Sequence, residues 1–283
     1  MSVKKNFIYN LSYQILIMIL PIITTPYISR IIGAEGIGIQ SYTYSIANYF
    51  VLFAMLGVNN HGNRSIAMVR NNQKKLNKTF TSIYLIQATM SVIMIILYII
   101  YIIFFTKSYK IIFAIQLIYI IGALFDINWF FFGMEQFKIT VIRNTIIKLI
   151  SVMSIFIFVR NERNLYLYSF ILALGTLISQ LILWNFLIKY ARFTKVSFDE
   201  VKEHIIPMLT LFIPAISVSI YKIMDKIMLG AMSTVIEVGF FTNSERIISI
   251  PLGIITALGT VMLPKMSNLL SNGKNNEAKK YVN

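Results

Sequence analysis

The chain contains no cysteine, which excludes disulfides and thiolate metal ligation and leaves the redox compartment unreadable. Histidine is nearly as scarce. His61 and His204 are the only two, too few for an HExxH motif or a three-ligand zinc site, so no metal is expected. Charge is low as well: Asp, Glu, Lys and Arg make up 13% of the 283 residues, against about 25% in soluble domains. The largest acidic group, Asp199, Glu200 and Glu203, is offset by Lys195 and Lys202 and reads as a solvated face. No activated serine elbow and no paired-carboxylate active site is present, so the sequence predicts a non-enzyme without a cofactor. The glycine-rich run Gly33–Gly38 is not GxGxxG, follows no strand and has no Walker lysine, which removes nucleotide binding.

What is abundant is apolar. Hydrophobic residues are 57% of the chain and mean hydropathy is +0.71, with apolar runs near 20 residues recurring throughout. That composition predicts an all-α polytopic transmembrane helix bundle. About eight spans are expected, near 7–29, 39–58, 80–105, 110–133, 139–159, 164–189, 205–228 and 236–262. The first run is too long for a cleavable signal and lacks a small-residue cleavage site, so it reads as a retained helix.

A net charge of +15 would suit nucleic acid, but the Lys and Arg residues sit mainly in the connections. With the N-terminus inside, sixteen of the 26 basic residues fall on the inner side, five outside and five within spans. That bias predicts both termini on the cytoplasmic side of the cell membrane, with the lipid bilayer rather than nucleic acid as the partner.

The charges inside the spans carry the functional reading. In the stretch 125–159, Asp126, Arg143 and Lys148 lie within apolar segments joined by the turn Gly133-Met134-Glu135-Gln136. Ionisable side chains at that depth are costly and face a polar interior or a solute path. Arg143 is close enough to a span end to snorkel; Lys148, about two turns deeper, is expected in a polar cavity. Trp129 is three residues beyond Asp126, on the same helical face, with packing the plainer role and sugar stacking the functional one. Tyr42 and Tyr49 share a face and pose the same choice. Further along, Lys222 and Asp225 are spaced to pair, and the adjacent Glu245 and Arg246 diverge by about 100°, so one of them meets another helix or a cavity. The interval from His61 to Lys78 is polar, basic and long enough for a short surface helix, with a solvated cytoplasmic loop the favoured reading. The first and seventh spans echo each other: both carry paired prolines (Pro21 and Pro26; Pro207 and Pro214), and each ends in a basic residue before a glycine-containing turn. Such an echo is expected of a transporter built from two repeated halves.

Three stretches, Ser29-Arg-Ile-Ile-Gly-Ala-Glu-Gly-Ile-Gly38, Phe125-Asp-Ile-Asn-Trp-Phe-Phe-Phe-Gly-Met-Glu-Gln-Phe137 and Asp225-Lys-Ile-Met-Leu-Gly230 followed by Val238-Gly239, resemble the Wzx-type oligosaccharide flippases. These belong to a superfamily that also holds multidrug extrusion transporters. The resemblance implies two six-helix lobes around a central cavity and an undecaprenyl-pyrophosphate-linked oligosaccharide as substrate. That substrate would be moved to the outer leaflet for capsule, exopolysaccharide or O-antigen assembly, alongside other polysaccharide-assembly membrane proteins. On that reading residues 1–190 form the first lobe, 191–204 a cytoplasmic linker, 205–262 the first two helices of a second lobe and 263–283 a cytoplasmic tail leading toward a ninth span. With eight spans against the family's twelve or more, the chain is expected to be truncated. Arg30, Arg143, Lys148 and Arg246 would hold the pyrophosphate and acidic sugars. Asp126, Asp225 and Glu245 would balance those cations or carry a coupling ion, and Trp129 would stack on sugar. The alternatives are a drug or cation antiporter of the same superfamily, a membrane-embedded polymerase or glycosyltransferase, and a scaffold. A net-cationic cavity disfavours cationic drugs, and no outside connection is long enough for a polymerase's catalytic loop.

Overall fold

A computed structural model describes residues 19–249 and 251–252. Every regular element among them is helical: α1 (19–31), α2 (Gly33–Met55), α3 (Val58–Val69), α4 (Gln73–Phe104), α5 (Lys110–Leu124), α6 (Asn128–Gly133), α7 (Phe137–Phe158), α8 (Leu165–Leu187), α9 (Phe198–Met232) and α10 (235–249). Among the described residues five segments are long and apolar enough to cross a bilayer: Gln73–Phe104, Lys110–Gly133, Phe137–Phe158, Glu162–Leu187 and Phe198–Met232. They match the third to seventh expected spans. α2, at the second, has the length but is less apolar, because Gln40, Ser41, Thr43 and Ser45 are turned into the protein. The beginning of the first span, the end of the eighth, Lys4, Lys5 and the tail at 263–283 lie outside the described residues.

The bundle wears its apolar residues outward. Ile93, Ile96, Leu97 and Ile103 on α4 and Ile146, Ile150, Met153 and Ile157 on α7 are all exposed. That is the arrangement a hydrocarbon surround favours, since apolar side chains cost nothing facing lipid.

Two expectations fail here. The interval after His61 is not a loop. Val58, His61, Ser65 and Ile66 are buried at i, i+3, i+7 and i+8, so α3 is an amphipathic helix laid onto the core. Gly62 brings it against the indole of Trp129, where a methyl group would overlap the ring. His61, 8% exposed, contacts His204 Nδ1 through Nε2 at 2.9 Å, tying α3 to α9. α9 itself begins within the expected linker: Ser197 and Glu200 form a reciprocal capping box that satisfies the first-turn amides. Lys78 reaches Glu200 at 2.5 Å.

The fourth span is broken. α5 stops at Leu124 and α6 starts at Asn128, because the Asp126 carboxylate accepts from the Asn128 backbone N–H at 2.9 Å and competes with helix continuation. The carbonyls freed by the break find donors on neighbouring helices. Gln87 Nε2 of α4 donates to the Ala123 and Asp126 carbonyls at 2.7 and 2.8 Å. Trp184 Nε1 of α8 donates to the Phe125 carbonyl at 3.0 Å.

At the opposite end of the chain, α2 and α10 cross in close contact. A methyl at Gly38 would overlap the Val235 carbonyl, and one at Gly239 would overlap the Ala34 carbonyl. Ser29 Oγ approaches Asn243 Oδ1 at 3.4 Å, while Tyr42 lies over Gly230. Ala34 and Val235, Gly38 and Gly239, Ser29 and Gly230, and Tyr42 and Asn243 are each separated by 201 residues. The contacts are therefore reciprocal, as across a two-fold axis. In that register the paired prolines of α1 and α9 are not equivalents, and of the glycines in the echo only Gly38 and Gly239 correspond, both within helices.

Candidate functional site

The broken span opens onto a polar cleft. Two adjoining cavities of about 370 and 160 Å³ share Tyr44, Tyr119, Thr176 and Gln180 as walls, enclosed by α2, α5, α7 and α8. Lys148, Asn144 and Ser151 project from α7 into the larger; Asp126 and Asn48 line the smaller. The helices approach closely at its far end, where Gly175 of α8 leaves only 2.5 Å between an added methyl and Ser151 Oγ.

The cleft floor is a hydrogen-bonded chain of charges and amides. Arg143, 5% exposed, donates from Nη1 to the Ser179 carbonyl at 2.8 Å, and from Nη2 to Asn128 Oδ1 at 2.8 Å and Asn144 Oδ1 at 2.6 Å. Asn128 Nδ2 in turn donates to Asp126 Oδ1 at 2.7 Å and Gln180 Oε1 at 2.9 Å. Arg143 and Asp126 thus communicate through the Asn128 amide instead of touching. Arg143 does not snorkel; its guanidinium points inward. Lys148 has no carboxylate partner among the described residues, so its side-chain nitrogen is uncommitted over the cleft. Such a site offers a cation, amides and hydroxyls to a polar anionic solute in a helix bundle that otherwise faces lipid.

The other predicted residues lie elsewhere. Trp129 is fully buried, stacked on Phe80 with Nε1 donating to Gln87 Oε1 at 2.9 Å. The ring expected to meet sugar has no open face, because α3 covers it. The aromatic pair at the cleft is instead Tyr44 and Tyr119, edge to face with centroids 4.9 Å apart. Tyr42 packs on Phe113. Arg30 and Asp225 are exposed, and the ion pair at that end runs from Lys226 to Glu245 at 2.5 Å, not from Lys222 to Asp225. Arg246 lines a separate cavity of about 390 Å³ with Pro21, Pro26, Ser29 and Asn243, between α1 and α10. Asp126, Arg143 and Lys148 are gathered at one cleft; Arg30, Asp225, Glu245 and Arg246 are not part of it.

Sequence reasoning passed over Asn128, Asn144 and Gln180. Their signal was available: three amides inside apolar spans, two of them beside residues already singled out for charge. Among the described residues no three Asp, Glu or His side chains gather to hold a metal.

A family model described as "Polysaccharide biosynthesis protein" matches residues 3–270. A protein of Escherichia coli (strain K12) named "Putative O-antigen transporter" is 24% identical over 275 residues, covering 95% of this chain and 66% of that protein. A Shigella dysenteriae protein of the same name is 24% identical over 254 residues, covering 88% and 63%. The chain therefore spans less than two thirds of the length of either curated relative. No solved structure matches.

Proposed function

Because the chain belongs to the polysaccharide biosynthesis protein family, we propose that it acts in a flippase that carries undecaprenyl-pyrophosphate-linked oligosaccharide repeat units across the cytoplasmic membrane. The observation that carries this reading is the cleft: Lys148 above the Arg143–Asn128–Asp126 chain, within helices long and apolar enough to span a bilayer. A pyrophosphate or acidic sugar is bound by such a cation with amide donors around it, and the tyrosines at the rim suit sugar faces. A broken span with its polar ends at a cavity is the usual construction of a transporter site. Residues 1–190 form the first lobe and α9 and α10 open the second. Both chain ends face the cytoplasm, and the exported units feed O-antigen, capsule or exopolysaccharide assembly with partner membrane proteins.

The test uses the absence of native cysteine. Lys148→Cys is expected to react with a small membrane-impermeant thiol reagent in inverted vesicles or whole cells. An exposed lipid-facing control, Met153→Cys, should stay unlabelled in both. Protection of Lys148→Cys from both sides means a sealed bundle and overturns the transport reading.

A further inference from the structure

The polar cleft has an apolar counterpart on the other side of α7. A groove of about 440 Å³ runs between α7 and α8, lined by Ile139, Ile142, Ile146, Ile182 and Phe186, with Lys138 at one end. At about 100° per residue, Ile142 and Ile146 stand on the face of α7 nearly opposite Asn144 and Lys148. Both isoleucines are exposed, at 41% and 51%, so the groove opens to lipid while the cleft opens inward. The two spaces meet at the α7–α8 seam. Ile147 lines both. Arg143 also walls the groove, and its guanidinium donates to Asn128, Asn144 and Ser179, which line the cleft. The seam is clamped at Gly175 and Ser151 and bridged at Ser179 by Arg143 and Asn144; beyond these contacts it runs toward Lys138 and Phe186.

We propose that this seam is a lateral gate for an amphiphile: the polar head occupies the cleft, the hydrocarbon anchor lies in the outer groove, and the phosphate joining them sits at the seam beside Arg143 and Lys138. The proposal rests on the flippase reading and adds where the substrate's lipid stays while its head is enclosed. From Lys138 to Ile146 the groove runs about 12 Å along α7, within the depth of one leaflet, so it holds the phosphate-proximal part of an isoprenoid chain. An apolar wall with cations at one end selects an anionic lipid over a neutral one.

The experiment places benzoylphenylalanine at Ile142, and at Met153 as the exposed lipid-facing control, in protein reconstituted into phosphatidylcholine nanodiscs with radiolabelled geranylgeranyl diphosphate. The expected result is several-fold more adduct at Ile142 than at Met153, displaced by farnesyl diphosphate but not by geranylgeraniol, and reduced by Lys138→Gln or by Ile146→Trp, which fills the groove. Equal adducts at the two positions, displacement by the alcohol as readily as by the diphosphate, or phosphatidylcholine adducts that the diphosphate does not displace would each overturn the gate. Lys148→Cys labelling in the same nanodiscs separates the two claims. A labelled cleft without a groove adduct removes the gate and keeps the flippase, whereas a protected cleft removes the flippase reading itself.

Discussion

Asn128 is the residue whose loss should reveal whether the cleft floor acts as one unit. Its side chain accepts from Arg143 and donates to Asp126 and Gln180; the backbone bond to Asp126 survives any substitution. Asn128→Ala therefore removes one hydrogen bond from the ionised Arg143 guanidinium and two donated by the amide, to the Asp126 carboxyl and to Gln180. Bonds with an ionised partner contribute about 1.5–3 kcal/mol each. The cleft admits water to part of the vacated space, which recovers a share of that. The expected net loss is about 2–3 kcal/mol. Equilibrium unfolding in mixed micelles measures it, with the tryptophans of the fold as reporters: Trp129 and Trp184 are the only two in the chain. Asn128→Ala combined with Arg143→Gln should be clearly non-additive, with a coupling of about 1 kcal/mol or more. A single-variant loss under about 0.5 kcal/mol, or strict additivity of the pair, would refute the bridge.

Three further outcomes follow from the packing. Gly239→Ala drives a methyl into the Ala34 carbonyl, so disulfide formation between Ser29→Cys and Asn243→Cys should drop several-fold; an unchanged yield means the crossing is looser than described. Trp129→Phe strips Gln87 Oε1 of its indole donor, and Gly62→Ala overpacks the same ring. Each should cost about 1–3 kcal/mol in the unfolding assay, and a neutral Gly62→Ala would count against the α3 placement. The His61 pKa is lowered to about 4, first by burial and then by His204 and Arg64. Between that value and the ordinary 6.5 the unfolded chain binds more protons than the folded one, so stability is full above about pH 6.5 and falls as pH drops toward 4. Protection of the α9 amides near His204 in hydrogen exchange should weaken across that window, and His61→Gln should flatten the dependence.

Much of the architecture was legible because length and apolarity suffice to place a spanning helix, and α4, α5–α6, α7, α8 and α9 all carry both. The features that define the site depend on what a side chain does to its own backbone or to a distant helix. Asp126 lies in an apolar run that reads as one span. It breaks the helix only because its carboxylate caps α6 and because Gln87 and Trp184, 39 and 59 residues from the carbonyls they reach, satisfy the freed groups. α3 was obscured for a different reason. Its buried face includes His61 and Ser65, polar residues that an apolar count scores as solvated. The helical pattern it makes (buried at 58, 61, 65 and 66) appears only when polarity is set aside. Trp129 misleads through size: a large aromatic beside a charge suggests a ligand face, and only the glycine at 62 says that another helix lies on it.

The reciprocal crossing of α2 and α10 bears on how such a protein would move. Four contacts related by one 201-residue displacement pair the start of the first lobe with the start of the proposed second. A gate between halves needs an interface that closes well and still opens. Small residues provide it, since Gly38 and Gly239 let backbones touch through dispersion alone, without long side chains to disentangle. The ion pair nearby among the described residues, Lys226–Glu245, joins α9 to α10 and stays within a single side of the crossing, so separation of α2 from α10 leaves it intact. His61 and His204 lie on a second junction, between α3 and α9, where a close approach of Gly57 to the Met208 carbonyl again excludes a side chain. Two of the places where α9–α10 meets the first lobe are thus built on glycine, while α9 meets α4 through the Lys78–Glu200 ion pair. Alternating exposure of the cleft would part glycine contacts at both junctions and, between α4 and α9, the Lys78–Glu200 pair.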